Sequence, residues 1–277
     1  MKKLKLIQLN FLVLGCLLAS AAKSQSTEAT PRDLFYDKVT TAEKEAIPYP
    51  YINESNVLWQ KRVWRVIDAK EKMNFPFRYE GNDWKGMKSL VMILREAAIN
   101  GEITVYNEDY LQTPETPADV DKFGAGTDTI AMNDLEGNFS RDTVIKKEFD
   151  PTRVSKYRVK EDWFIDKQTS QMMVRIEAVA PLYYDDQAQI EIPMFWAYYP
   201  DCRSVLAKQE VFNPKNDAVR LSWDDLFEMR YFSSYIIKES NALDRRIQDY
   251  TSGVDALRES DRVKQEIIDK EQDMWSY

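Results

Sequence analysis

From residue 57 to residue 77 the chain reads VLWQKRVWRVIDAKEKMNFPF. Stepped at 100° per residue, Trp59, Val63, Val66, Ile67 and Met73 share one stripe, and Lys61, Arg65, Asp68 and Lys72 gather opposite. That pattern predicts an amphipathic helix. Ser55 or Asn56 would cap it, and Asn74 before Pro76 would end it. Trp64 falls about 140° from Trp59 on the same wheel, outside the stripe and beside the charges. A tryptophan there has to be covered, either by its own chain or by a partner, for which Trp is a favoured anchor.

The same reading predicts a second helix over 84–100, capped by Asn82 or Asp83, with Gly101 just past its end. A strand follows over 101–106. Residues 107–147, rich in Thr, Asp, Pro and Gly, read as one long loop. Residues 154–180 alternate as a β-hairpin with a turn at 166–170. Further strands are expected at 190–199, with Pro193 at an edge or bulge, and at 203–212. Phe195, Trp196, Tyr198 and Tyr199 would put aromatic rings on both faces of the first of these. Both faces are then buried, or one is an interface. Ser222 caps a helix over 223–238 with Asp225 in a capping-box position, and 244–250 is helical. Gly253 precedes a charged C-terminal helix over 254–275 with a narrow apolar stripe ending at Trp275. In the segment 48–52, Pro48, Tyr49 and Tyr51 favour extended geometry, which can wrap its own domain or lie across another subunit. The fold class is α+β: helices on a small antiparallel sheet, with an extended N-terminal arm and a C-terminal helix.

The first 24 residues read as a secretion signal. Lys2, Lys3 and Lys5 precede an apolar run, and small residues follow, allowing cleavage after Ala21 or Ser24. Val13-Leu14-Gly15-Cys16 also resembles a lipoprotein processing site, which would make Cys16 the lipidated first residue. The apolar residues continuing past Cys16 speak against it. Domain organisation is then signal 1–24, arm 25–53, core 54–250 and C-terminal helix 251–277. No later segment approaches a membrane span. Removing the signal leaves 34 Lys and Arg against 46 Asp and Glu, a charge of −12. Such acidity argues against nucleic acid as a partner. Cys202 would be the one remaining cysteine, so no intramolecular disulfide is expected.

The chain has no histidine and only 8 glycines. Ser-His and Cys-His nucleophiles and histidine metal sites are therefore excluded, and phosphate-cradling loops are not expected; the sequence calls for no cofactor. Carboxylate chemistry remains open. The acidic pairs Asp185-Asp186 and Asp224-Asp225 are its best candidates, although a turn and a helix N-terminus explain both. Asp119, Asp121 and Asp128 lack calcium-loop spacing.

The run LWQKRVWRVIDAKEKMNFPF, the segment WFIDKQTSQMMVRIEAVAP and the block from WAYYPDCRSVLAKQEVF through IQDY together resemble the gliding-motility GldN/PorN family. The resemblance covers much of 57–250. It implies a non-enzymatic periplasmic component of the type IX secretion and gliding apparatus of Bacteroidetes. It also implies a ring beneath the outer membrane, built with a GldK/PorK-type lipoprotein and contacting a GldM/PorM-type motor component. A ring of one repeated subunit needs two different complementary surfaces. Trp64, Pro48, Tyr49, Tyr51, Phe195, Trp196, Tyr198, Tyr199 and Trp275 are the contact candidates. The competing classes are a two-carboxylate periplasmic hydrolase and a soluble module binding a peptide or secreted cargo.

Overall fold

A computed structural model describes residues 44–275, apart from 79–86, 124–125, 134–138, 148, 186–187 and 217; the side chains of 126–147 and of Trp275 are also left out. The described residues belong to one unit, Thr41–Tyr277. The expected signal, Cys16 and the caps Asn82 and Asp83 lie outside them.

The segment predicted as the opening helix is a strand, β1 (Val57–Asp68), followed by a 3-10 helix, Lys72–Arg78. Apart from Leu58, its apolar residues are Val, Ile and Trp, whose branched or flat side chains suit a pleated surface better than a helix. The second half of β1, from Val63 to Ile67, is buried on both faces. Continuous burial blurs the period of two, and the helical wheel then finds a stripe that is not there. Met73, assigned to that stripe, is 42% exposed.

β1 pairs antiparallel with β5 (Val154–Asp166) along most of its length, and β5 with β6 (Gln171–Asp185). With β2 (Val105–Tyr106), β7 (Ile190–Pro193), β8 (Trp196–Tyr198) and β11 (Tyr235–Glu239) they form a seven-stranded sheet in the order β11-β1-β5-β6-β8-β2, β7 also pairing β6. The α+β class holds, on a sheet larger than expected. The hairpin predicted over 154–180 is present and runs on to Asp185. Its turn is tied by Asp166, whose carboxylate accepts from the backbone of Gln168 and Thr169 at 3.3 and 3.2 Å.

Several other expectations are corrected. The second helix, α1 (Leu90–Ile99), begins after Ser89, although Gly101 does take the left-handed backbone, φ +74°, expected past its end. The loop at 107–147 holds α2 (Pro117–Lys122) and a separate hairpin, β3 (Gly126–Asn133) with β4 (Phe139–Lys147). The strand at 190–199 is broken between Pro193 and Trp196. In place of a strand at 203–212, α3 (Tyr199–Leu206) precedes a two-residue β9 (Glu210–Val211), which pairs β10 (Leu221–Ser222). α4 spans only Trp223–Glu228, and the rest of the predicted helix is edge strand β11. Residues 244–250 supply only a 3-10 turn, Ile247–Asp249. The C-terminal helix α5 (Val254–Trp275) forms as predicted.

Parity along β1 sorts the core. Ile67 and the 3-10 residue Phe77 join α1, α3 and α4 in the main cluster, where Phe77 meets Tyr157, Trp223 and Phe227 at ring separations of 5.2–5.7 Å. Val63, on the same face as Ile67, packs with Ile236 and Ile247 under Val263 and Ile267 of α5. Between the two clusters lies Arg65, paired at 3.2 Å with Glu161, which has no solvent exposure. Arg230 and the indole N–H of Trp163 complete the shell of that carboxylate at 3.0 Å each. Two guanidiniums on one buried carboxylate supply the pairing that such burial requires.

Candidate interaction surface

Residues 44–53 carry no regular secondary structure, precede the 3-10 turn Glu54–Asn56 that enters β1, and lie as a strap over α3, α4 and β6. Their seat is built around Asp224, held in the first turn of α4 by the capping box of Ser222 and Asp225. Asp224 is buried, accepting from Arg203 Nε and Nη2 at 2.9 and 3.3 Å and from the Tyr199 hydroxyl at 3.0 Å. Burial, and then the Asp224 charge, push the Tyr199 phenol far above its usual range, so it stays a donor. The Arg203 guanidinium, fixed by Asp224, lies 4.1 Å from the ring centre of Tyr49, and that of Arg175 lies 4.9 Å away. Such contacts combine ring packing with cation–π attraction.

Polar bonds fasten the strap on either side of that ring. The Tyr49 hydroxyl donates to Glu228, and Arg175 donates to the carbonyl of Pro50. Lys44 pairs with Asp225 and also reaches the Ser222 hydroxyl at 3.3 Å. Burial would raise the Asp225 carboxyl, but hydrogen bonds from Lys44 and Ser222 outweigh it and hold the group below its usual value. Burial and the bond to Glu228 raise the Tyr49 phenol. While Tyr49 turns inward, Ile47 and Tyr51 stand 80% and 90% exposed.

The predicted contact residues divide by position. Pro48 and Tyr51 are exposed on the strap, with Tyr49 half-buried beneath them. Phe195 and Tyr199 point into the main core, and Trp196 is buried on the opposite face of the sheet, with Tyr198 half-buried. The expected aromatic crowd on both faces of this strand is therefore largely the chain's own interior. Trp64 is 5% exposed and packs on Ala178, Ala180 and Trp196. Its ring lies 4.3 Å from Lys238 Nζ and 5.9 Å from Lys160 Nζ. That face explains the misfit on the helical wheel: Trp64 and Val63 are neighbours on a strand and point to opposite sides. The side chain of Trp275 lies outside the described residues.

Those of the acids proposed for hydrolysis that are described are engaged in the fold. Asp224 and Asp225 hold the strap's seat, and Asp185 accepts from the turn amide of Ala188 at 3.5 Å; Asp186 is outside the described residues. Asp121 pairs with Arg95 at 2.7 Å, and Asp119 accepts from the Thr116 hydroxyl at 2.6 Å. Among the described residues no group of three or more His, Cys, Asp or Glu is placed to hold a metal ion. Cys202 is buried and free, its thiol pushed up by burial. No helix among the described residues is long and apolar enough to cross a membrane. Sequence reasoning missed Arg175, Arg203 and Glu228 as the strap's receptors. Each lies more than a hundred residues from the strap, where no spacing rule reaches.

These features define a mixed α+β domain with an antiparallel sheet, a covering C-terminal helix and an N-terminal strap. The sequence profile of the family described as gliding motility associated protein GldN matches residues 52–276, and the chain belongs to that family. The match takes in the sheet and α5, and starts where the strap leaves its seat. No individually curated protein matches the chain.

Proposed function

We propose that this chain is a non-enzymatic structural subunit of a periplasmic ring in the type IX secretion and gliding machinery. It would join an outer-membrane lipoprotein of the GldK/PorK type, repeat itself around the ring, and touch a motor component of the GldM/PorM type. Membership of the GldN family over nearly the whole sheet domain is the observation that carries this reading. The engagement of Asp224 in a buried ion pair and of Asp225 in a helix cap supports it, because it gives those two carboxylates a structural role. Ile47 and Tyr51, large apolar side chains held outward on a strap whose middle is anchored, supply surface for a neighbour to cover. Co-expression with the lipoprotein, followed by size exclusion and electron microscopy, tests the proposal. Large closed particles containing both chains are expected. Recovery of the two proteins as separate monomers would overturn it.

A further inference from the structure

The face of the sheet that carries Trp64 holds a pocket of about 450 Å³ between the loop at 107–110 and the segment at 244–249, floored in part by Pro193 and Trp196. Four carboxylates line it: Glu108, Asp109, Asp244 and Asp249. Three cations join them: Arg158, Lys238 and Arg246. Three of these groups have internal partners. Lys238 pairs with Asp244 at 2.5 Å, Tyr110 donates to the same carboxylate at 3.1 Å, and Asp249 accepts from the Arg246 backbone at 2.7 Å. The two guanidiniums do not: among the described residues neither Arg158 nor Arg246 makes an ion pair, although acids surround them. The Nε of Arg158 is buried without a hydrogen-bond partner. A buried donor left unpaired is costly, and two guanidiniums near each other repel unless an anion lies between them.

We propose that this pocket is a carboxylate-binding site, with Arg158 and Arg246 as its two arms. Guanidinium forks match the paired oxygens of a carboxylate. The charge of the lining fixes the class of anion. Four acids against three bases give −1, which opposes every anion, but a phosphate dianion more than a carboxylate, so the single charge is the one that the two local forks can outweigh. Burial, followed by the charge of Arg246, lowers the proton affinity of Arg158, and the charges of Asp109 and Glu191 offset this only in part. The carboxylate can belong to a free small acid or to a Glu or Asp side chain of a polypeptide. This site shares no residue with the strap's seat and does not depend on the ring proposal.

The test uses the full mature chain labelled with 15N, with the Arg158 Nε–H resonance assigned by its loss in Arg158→Lys. The probes are acetate, inorganic phosphate, and the blocked tripeptides acetyl-Gly-Glu-Gly-amide and acetyl-Gly-Gln-Gly-amide. Acetate and the Glu peptide are expected to shift the resonance saturably, with phosphate and the Gln peptide at least roughly tenfold weaker. Arg246→Gln, at an exposed position and checked for a folded spectrum, is expected to weaken acetate by a similar factor. A Glu peptide that binds tighter than acetate assigns the carboxylate to a polypeptide; equal binding assigns it to a small acid. The proposal is overturned if neither carboxylate gives a saturable shift. Equal shifts from phosphate and acetate would mean an adventitious ion only. Unchanged acetate binding in the Arg246→Gln variant would also overturn it.

Discussion

Asn74 has no solvent exposure, and its amide joins two remote segments. Its Nδ2 donates to the carbonyls of Asp68 and Ser233 at 2.8 Å, and its Oδ1 accepts from the Ser233 amide at 2.8 Å. The 3-10 helix is thereby pinned to the entry of β11. Asn74→Ala takes their partner from the amide and carbonyl of Ser233, while the Asp68 carbonyl keeps its bond from the Glu71 amide at 3.2 Å; the change is expected to cost about 2–4 kcal/mol, read from denaturant unfolding at pH 7. From sequence, Asn74 looked like a helix stop, because its partner at Ser233 is 159 residues away. Asp225 was easier to read: a Ser with an acid three residues on is a local signature, and its capping box is present. Its carboxyl is held below the usual value, so its contribution to stability is full above the unfolded value of about 4 and is lost as pH falls through the folded value. Lys44→Met removes one cause of that depression. The variant should be less stable than the parent at pH 7 and should lose less on acidification, so that the two denaturation midpoints converge near about pH 3. Parallel curves from pH 7 downward would show that Lys44 has no hold on Asp225.

The elements that were legible in the sequence are those whose signal is local. The β5–β6 hairpin has a polar turn between two runs of strand formers, and α5 buries one narrow stripe while Val254 and Leu257 stay 66% and 55% exposed. β1 failed for the opposite reason. Its partners Asp162 and Glu239 lie about a hundred residues or more away, yet they make its charges tolerable in a sheet: Arg62 meets Asp162 with two bonds of 2.7 Å, and Lys61 meets Glu239 at 2.7 Å. With those pairings unseen, the basic positions read as the solvated side of a helix. The composition already argued otherwise, since Val, Ile and Trp are strand formers. β11 was hidden in the same way behind the helix signal of α4. Edge strand β11 is in turn covered by α5, whose Ser260 hydroxyl accepts from the Ile236 amide at 2.8 Å, so the C-terminal helix protects a sheet edge from pairing with another chain.

At the scale of the whole molecule, the large apolar groups that were offered as contacts separate into two sets. Trp64, Phe195, Trp196 and Tyr199 are buried by the chain itself, and Tyr51 is 90% exposed on a strap fixed in place by Tyr49. A rigid exposed aromatic gains its full burial on association at little cost in ordering, which is what makes Tyr a frequent anchor. If the strap meets a neighbour in the ring, the two sets must respond differently. Tyr51→Ser is expected to leave the melting temperature of the isolated chain within about a degree or two, since surface changes fall within about 0.5 kcal/mol, while reducing the yield of large particles with the lipoprotein. Trp64→Ala, in contrast, removes a buried indole and should cost about 3–5 kcal/mol of stability, with any loss of assembly following the loss of folded protein. Thermal unfolding and particle yield at equal folded concentration separate the cases. Normal particles from Tyr51→Ser would remove the strap from the interface and leave the ring surfaces elsewhere on the sheet domain.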